Sequence, residues 1–154
     1  MGINLEAQKV LFCKRYYGYS KADEVPDNPI DVVISGNALE HVEAPLNEIN
    51  TLHIKIKAGG KIVLVVPCES INHSYKAGDI NNHLYSFSPM CLGNLLTEAG
   101  FIVHESKPYI HKWPPRYRTI AKYGGRKIFD VACFFYGRIE RSWFQVRAIG
   151  EKVE

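Results

Sequence analysis

No apolar run in this sequence approaches the roughly 18–20 residues that a membrane-spanning helix needs. None of its four cysteines, Cys13, Cys68, Cys91 and Cys133, stands in a CxxC pair. That favours neither a disulfide framework nor a zinc site, and the cysteines read as reduced thiols of a cytoplasmic protein. The first residues, Met1-Gly2-Ile3-Asn4-Leu5-Glu6, lack the basic-then-apolar form of a signal peptide. Internal repeats and low-complexity segments are missing. His53, His73, His104 and His111 have no metal-ligand spacing. There is no paired carboxylate set and no nucleophile elbow, so hydrolytic chemistry of those kinds has no footing here. A net charge of +3 is too small to imply nucleic acid by itself.

What is present is an ordinary globular composition in 154 residues, 46% hydrophobic and 23% charged. That is enough for a single domain with a real core. The most informative stretch runs from Asp31 to Pro67. Asp31-Val32-Val33-Ile34-Ser35 reads as a strand, followed by the polar turn Gly36-Asn37-Ala38-Leu39-Glu40-His41. The spacing of Leu46, Ile49, Leu52 and Ile56 predicts a helix from Pro45 to about Lys57. Pro45 suits its first turn, and Gly59 or Gly60 suits its stop. Lys61-Ile62-Val63-Leu64-Val65-Val66 reads as a second strand, closed by Pro67. Both strands are continuously apolar, as expected when helices cover both sheet faces, and such a unit runs parallel.

Around this unit the chain falls into shorter pieces. Residues 6–15 read as a short helix and 16–19 as a strand. The segment 68–82 is a long irregular loop at the carboxyl end of a strand, where loops of this length are often functional. Ser88-Pro89 caps a helix with Leu92, Leu95, Leu96 and Ala99 on its buried side and Gly100 at its end. Phe101-Ile102-Val103 begins another strand, and 108–115 reads as a loop. Residues 116–136 look like two helical pieces split at Gly124-Gly125. Residues 143–150 alternate as a less buried, antiparallel last strand.

Three segments resemble one family. Asp31 to Ser35 with Leu39-Glu40-His41-Val42 resembles the fourth strand and "LEHV" turn of class I S-adenosylmethionine-dependent methyltransferases of the small-molecule type. Lys57-Ala58-Gly59-Gly60-Lys61 and the strand after it resemble the family's "KPGG" turn and fifth strand. His83-Leu84-Tyr85-Ser86-Phe87-Ser88, then Leu92, Leu95-Leu96 and Glu98-Ala99-Gly100-Phe101, resemble its "HxxxF[ST]…LL…AGF" segment. The fold implied is α/β, a Rossmann-like and mostly parallel sheet with an antiparallel last strand. The first strand is lacking, because no glycine-rich cofactor loop is found. The front of the chain resembles the end of the family's second strand, with Asn4 where an acidic residue usually meets the ribose. Ala44 stands where a polar cap usually precedes the proline. The expectation is a single domain over residues 1–154, incomplete at its N-terminus: a fragment, a mis-called start or a shortened relative.

The resemblance implies S-adenosylmethionine as cofactor, a small-molecule methyl acceptor and no metal. Asn4, Ser35, Gly36, Asn37 and His41 become the cofactor contacts, and His83 and Tyr85 the catalytic or acceptor contacts. His41 reads equally as a structural cap of its turn, and His83 as an anchor of its loop. Residues 107–140 contain a basic stretch with interleaved aromatics. One reading is a helical lid in which Arg116 and Arg118 bind a phosphate-bearing acceptor. Others are a membrane-surface helix and a plain solvated face; nothing resembles an RNA-binding module. Without a first strand, Asp31–Ser35 has a bare apolar edge, which invites self-association unless the N-terminal segment fills it. A non-catalytic remnant or interaction subunit is the alternative to the enzyme, and the missing glycine loop is what keeps it open. A nucleotide-binding oxidoreductase domain has less support, since it lacks its own glycine fingerprint and all the other turns.

Overall fold

A computed structural model of the protein describes residues 25–70, 72, 74–110, 112–140 and 144–153. Its elements in order are β1 (Ile30–Gly36), a 3-10 turn (Leu39–His41), α1 (Pro45–Lys55), β2 (Ile56–Cys68), α2 (Pro89–Glu98), β3 (Phe101–Tyr109), α3 (Tyr117–Ile139) and β4 (Phe144–Lys152). The helix and strand expected over residues 6–19, and Asn4, lie outside the described residues.

The strands form one sheet in the order β1-β2-β4-β3. β1 and β2 are parallel, while β4 is antiparallel to both β2 and β3. The expected α/β arrangement with a reversed last strand is therefore observed. The position of β4 differs from expectation, because it lies inside the sheet between β2 and β3 rather than in a less buried place. Its alternation comes from Val146 and Ala148 facing the core while their neighbours face away.

One face of the sheet carries the core. Ile62, Leu64 and Val66 of β2 and Val146 and Ala148 of β4 pack with Ile49 of α1 and with Leu92 and Leu96 of α2. These are the helix positions the period-3.6 pattern selects. Ser88 caps α2 by accepting a hydrogen bond from the Cys91 amide at 3.1 Å, and Gly100 leaves the helix at φ 87°.

The other face corrects a sequence expectation. Ile34 pairs with Val63, and Val63 with Ile149, giving an apolar row across the sheet. Among the described residues nothing buries its β1 end, where Val32 is 50% and Ile34 76% exposed. Continuous apolarity here marks a strand whose second face has no described cover.

The turn before β2 also differs. α1 stops at Lys55 and Ile56 is already extended and fully buried. Ile56 pairs with Ile30 and Lys61 with Val32, so residues 57–60 bulge out of the ladder. Gly59 takes φ 73° at this bulge. The glycines shape a strand irregularity, where the sequence suggested a helix stop. β3 likewise runs on through Pro108 and Tyr109, where the sequence suggests a loop. α3 is kinked at Gly125 (φ 65°, ψ −176°), as its two expected pieces require. It seats Cys133 against Lys112 and Gly137 against Ile110 and Lys112. No helix among the described residues is long and apolar enough to cross a membrane.

Candidate active site

β1 ends at Gly36 beside Val65, β2 runs on to Cys68, and beyond these carboxyl ends opens a cavity of about 610 Å³. Ligands of open α/β sheets bind at such strand ends. Asn37, Glu40, His41, Pro67, Cys68, Glu69, Asn81, His83, Phe144 and Gln145 line it.

Asn37 starts the wall. It leaves β1 with a left-handed backbone, φ 52°, which asparagine tolerates better than most residues. Its amide donates to the Val65 carbonyl at 2.8 Å, and its Oδ1 accepts from Gln145 Nε2 at 3.0 Å. Ser35 is half-buried inside β1. Gly36 is exposed at the strand's last position, with open space where a Cβ would stand.

Residues 83–87 of the loop before α2 then fold back onto the turn. Leu84 and Tyr85 amides donate to the Glu40 carbonyl at 2.9 and 3.3 Å. Glu69 N donates to Ser86 Oγ at 2.7 Å, and Phe87 N to the Pro67 carbonyl at 3.1 Å. This docking brings His83 edge-on to His41, ring centroids 5.1 Å apart. His83 Nδ1 lies 2.8 Å from Glu69 Oε1. A carboxylate there favours the tautomer with hydrogen on Nδ1, leaving the lone pair on Nε2.

Glu40 is the unexpected member of this wall. Its side chain is wholly buried, and neither carboxylate oxygen has a hydrogen-bond partner among the described residues. His41 Nε2 is 3.8 Å from Glu40 Oε1, an ion-pair distance but too long for a hydrogen bond.

The structure thus brings Asn37, His41 and His83 to one cavity, with Ser35 and Gly36 leading into it. Tyr85 stands apart: its hydroxyl donates to the Glu43 carbonyl at 2.8 Å, which ties the loop to the start of α1. Arg116 and Arg118 are exposed and do not line the cavity. Arg118 Nε donates to the Tyr117 hydroxyl at 3.2 Å. Sequence reasoning missed Glu40, Glu69 and Gln145. A carboxylate next to His41 in a turn otherwise closing on apolar positions was a readable sign for Glu40. Gln145 reaches Asn37 from 108 positions away, and no local pattern reports such a contact.

A family profile described as a methyltransferase domain matches residues 5–106. The chain belongs to the methyltransferase-domain family. This is the family its sequence resembles, and the match takes in β1, both helices of the core and the whole cavity wall up to His83. No curated protein matches the chain. Among solved structures, phosphoethanolamine N-methyltransferase 2 of Haemonchus contortus, in complex with phosphomonomethylethanolamine and S-adenosylhomocysteine, is similar at TM-score 0.55 and 13% identity, over 87% of this chain and 36% of that one. A geranyl diphosphate methyltransferase in complex with GPP and sinefungin is similar at TM-score 0.51 and 13% identity, over 82% of this chain and 48% of that one. A methyltransferase of Bacillus halodurans, itself assigned by inference, is similar at TM-score 0.53 and 18% identity, over 87% and 70%. The chain therefore spans about a third to a half of the first two. Identities this low speak for the shared fold.

Proposed function

We propose that this methyltransferase domain binds S-adenosylmethionine in the Asn37–His41–His83 cavity and moves its methyl group to a small, phosphate-bearing acceptor. The observation that carries the reading is the cavity itself. It lies at the carboxyl ends of parallel strands, in a size range usual for small-molecule sites, and the family's own turn residues build it. Ser35, Gly36, Asn37 and His41 take the methionine end of the cofactor, and Asn4 its ribose. His83 faces the acceptor, while Tyr85 positions the loop that carries His83. Methyl transfer needs an in-line approach to the sulfonium methyl, so the protein's main work is orientation. With no ion bound at the histidines, His83 Nε2 is the available proton acceptor when the nucleophile must lose a proton.

The phosphate-bearing acceptor is favoured by two similar enzymes whose ligands carry phosphate. It is also favoured by the run of cations from Lys107 to Lys127, where Arg116 precedes α3 and Arg118 lies in its first turn. For these arginines to reach an acceptor, the first part of α3 must close over the cavity, and Gly125 supplies a hinge. The whole chain is taken as one domain, with 107–140 as its lid. The described cysteines Cys68, Cys91 and Cys133 are free thiols, consistent with a cytoplasmic setting. Self-association through the outer edge of β1 accompanies this reading unless residues 1–24 pair there.

A second reading is an interaction subunit that keeps the fold and has lost the cofactor. The sequence's lack of a glycine-rich loop favours it. Titration calorimetry separates the two: the enzyme reading expects saturable heat with S-adenosylmethionine, and silence at millimolar ligand ends it for this polypeptide. Radiolabelled methyl transfer to phosphorylated and unphosphorylated amino alcohols then reads the acceptor class, with the phosphorylated series expected to be preferred.

A further inference from the structure

Glu40 poses a chemical problem that the methyl-transfer reading leaves unsolved. A buried carboxylate without hydrogen bonds is strongly disfavoured, and native proteins pair it, neutralise it or place it on a metal. Next to it stand two imidazoles. Glu40, His41 and His83 each offer a ligand atom, and these atoms lie within 4.8 Å of one another. With metal–ligand bonds of about 2.0–2.2 Å, ligands of one tetrahedral ion sit roughly 3.4 Å apart, so small side-chain movements close the set. The three residues come from two separate segments, joined by the amides of Leu84 and Tyr85 on the Glu40 carbonyl.

We propose that Glu40, His41 and His83 form a binding site for a borderline divalent transition-metal ion such as Zn²⁺. The donor chemistry selects this class. Two imidazoles and one carboxylate suit zinc and its first-row neighbours, whereas Mg²⁺ and Ca²⁺ prefer oxygen ligands throughout. Glu69 completes the device from behind. Its carboxylate holds His83 Nδ1 at 2.8 Å and so presents the unprotonated Nε2 to the ion, the arrangement that fixes ring orientation and raises ligand basicity in metal sites. The three protein ligands leave at least one position of the ion facing the cavity. This revises the sequence expectation that no metal is implied. His41 and His83 are far apart in sequence and meet only where the amides of Leu84 and Tyr85 bond the Glu40 carbonyl. The claim goes beyond methyl transfer and does not depend on it, because its readout is metal binding itself.

The test uses the full, untagged chain. Calorimetric titration with Zn²⁺ is expected to give one ion per chain. The Co²⁺ form should show visible d–d bands of a low-coordinate site without a thiolate charge-transfer band. Glu69→Gln should weaken Zn²⁺ binding by about 10- to 100-fold, and Glu40→Gln and His83→Ala by more, with circular dichroism confirming folded variants. His41→Ala, at the exposed side of the cluster, supplies the same comparison where Glu40→Gln does not fold. The proposal is overturned if the folded wild-type chain binds no Zn²⁺. Equal affinity in wild type and the ligand variants, or a thiolate band placing the ion on cysteine, overturns it as well. Calorimetry with S-adenosylmethionine in the presence of a chelator reads the cofactor separately, so failure of one claim leaves the other measurable.

Discussion

Asn37 sits where β1 becomes the cavity wall, and its left-handed backbone and its side-chain amide serve different ends. The backbone conformation costs an ordinary L-residue roughly 1–2 kcal/mol. Asn37→Ala should therefore destabilise the fold by about 1 kcal/mol, whereas Asn37→Gly should restore the backbone while losing the bond to Gln145. Urea unfolding of both variants checks this; equal loss in the two would show that the backbone strain is not what matters. His53 gives a second residue-scale prediction. Burial first, and then the Lys152 charge, hold its pKa below the ordinary 6.5, against a raising contact from the Gly100 backbone. Its ring packs edge-on to Phe101 at 4.7 Å. The unfolded chain then binds the proton more readily than the native one, so stability falls as pH drops below about 6.5. His53→Gln should remove that part of the slope between neutral pH and pH 5, measured as the difference between the two proteins' unfolding free energies. A constant difference across that range contradicts the assignment.

At the scale of elements, the helices were the legible part. The stripe Leu46, Ile49, Leu52 and the set Leu92, Leu95, Leu96 follow the helical period, and Ser88-Pro89 marks a start that the capping bond bears out. Pattern of this kind is local, and local patterns survive without tertiary information. The bulge at 57–60 was not legible, because Gly59-Gly60 satisfies a helix stop as readily as a strand irregularity. The pairing of Ile56 with Ile30, a non-local contact, decides between them. Gly60 is confined there: a Cβ would lie 2.6 Å from Ile56 Cγ2 and 2.9 Å from the Lys57 carbonyl oxygen. Gly60→Ala should cost about 1–3 kcal/mol, the usual range for overpacking, and a neutral result in thermal unfolding would mean the bulge is not rigid. The cavity divided in the same way. The turn residues Asn37 and His41 could be read from the strand-end motif, while the meeting of His41 with His83 and Glu69 depends on where a long irregular loop lands.

For the whole molecule, the apolar row Ile34–Val63–Ile149 and the outer edge of β1 are the places where the described chain is least finished. An unpaired apolar edge is a template for another strand. Hydrogen exchange should find the β1 amides that do not bond to β2 protected, either in a dimer or by the chain's first residues. Sedimentation tells these apart, with Ile34→Lys expected to yield monomers in the first case. Rapid exchange along β1 in a monomer would contradict both. The central claim, however, is that the carboxyl ends of β1 and β2 hold a cofactor. The most direct measurement is a titration of the ¹⁵N-labelled chain with S-adenosylhomocysteine, followed by amide resonances. The account predicts saturable shifts at Gly36, Asn37, His41 and Glu69, with α2 largely unmoved. A spectrum unchanged at millimolar ligand, or shifts confined to α3, would contradict it.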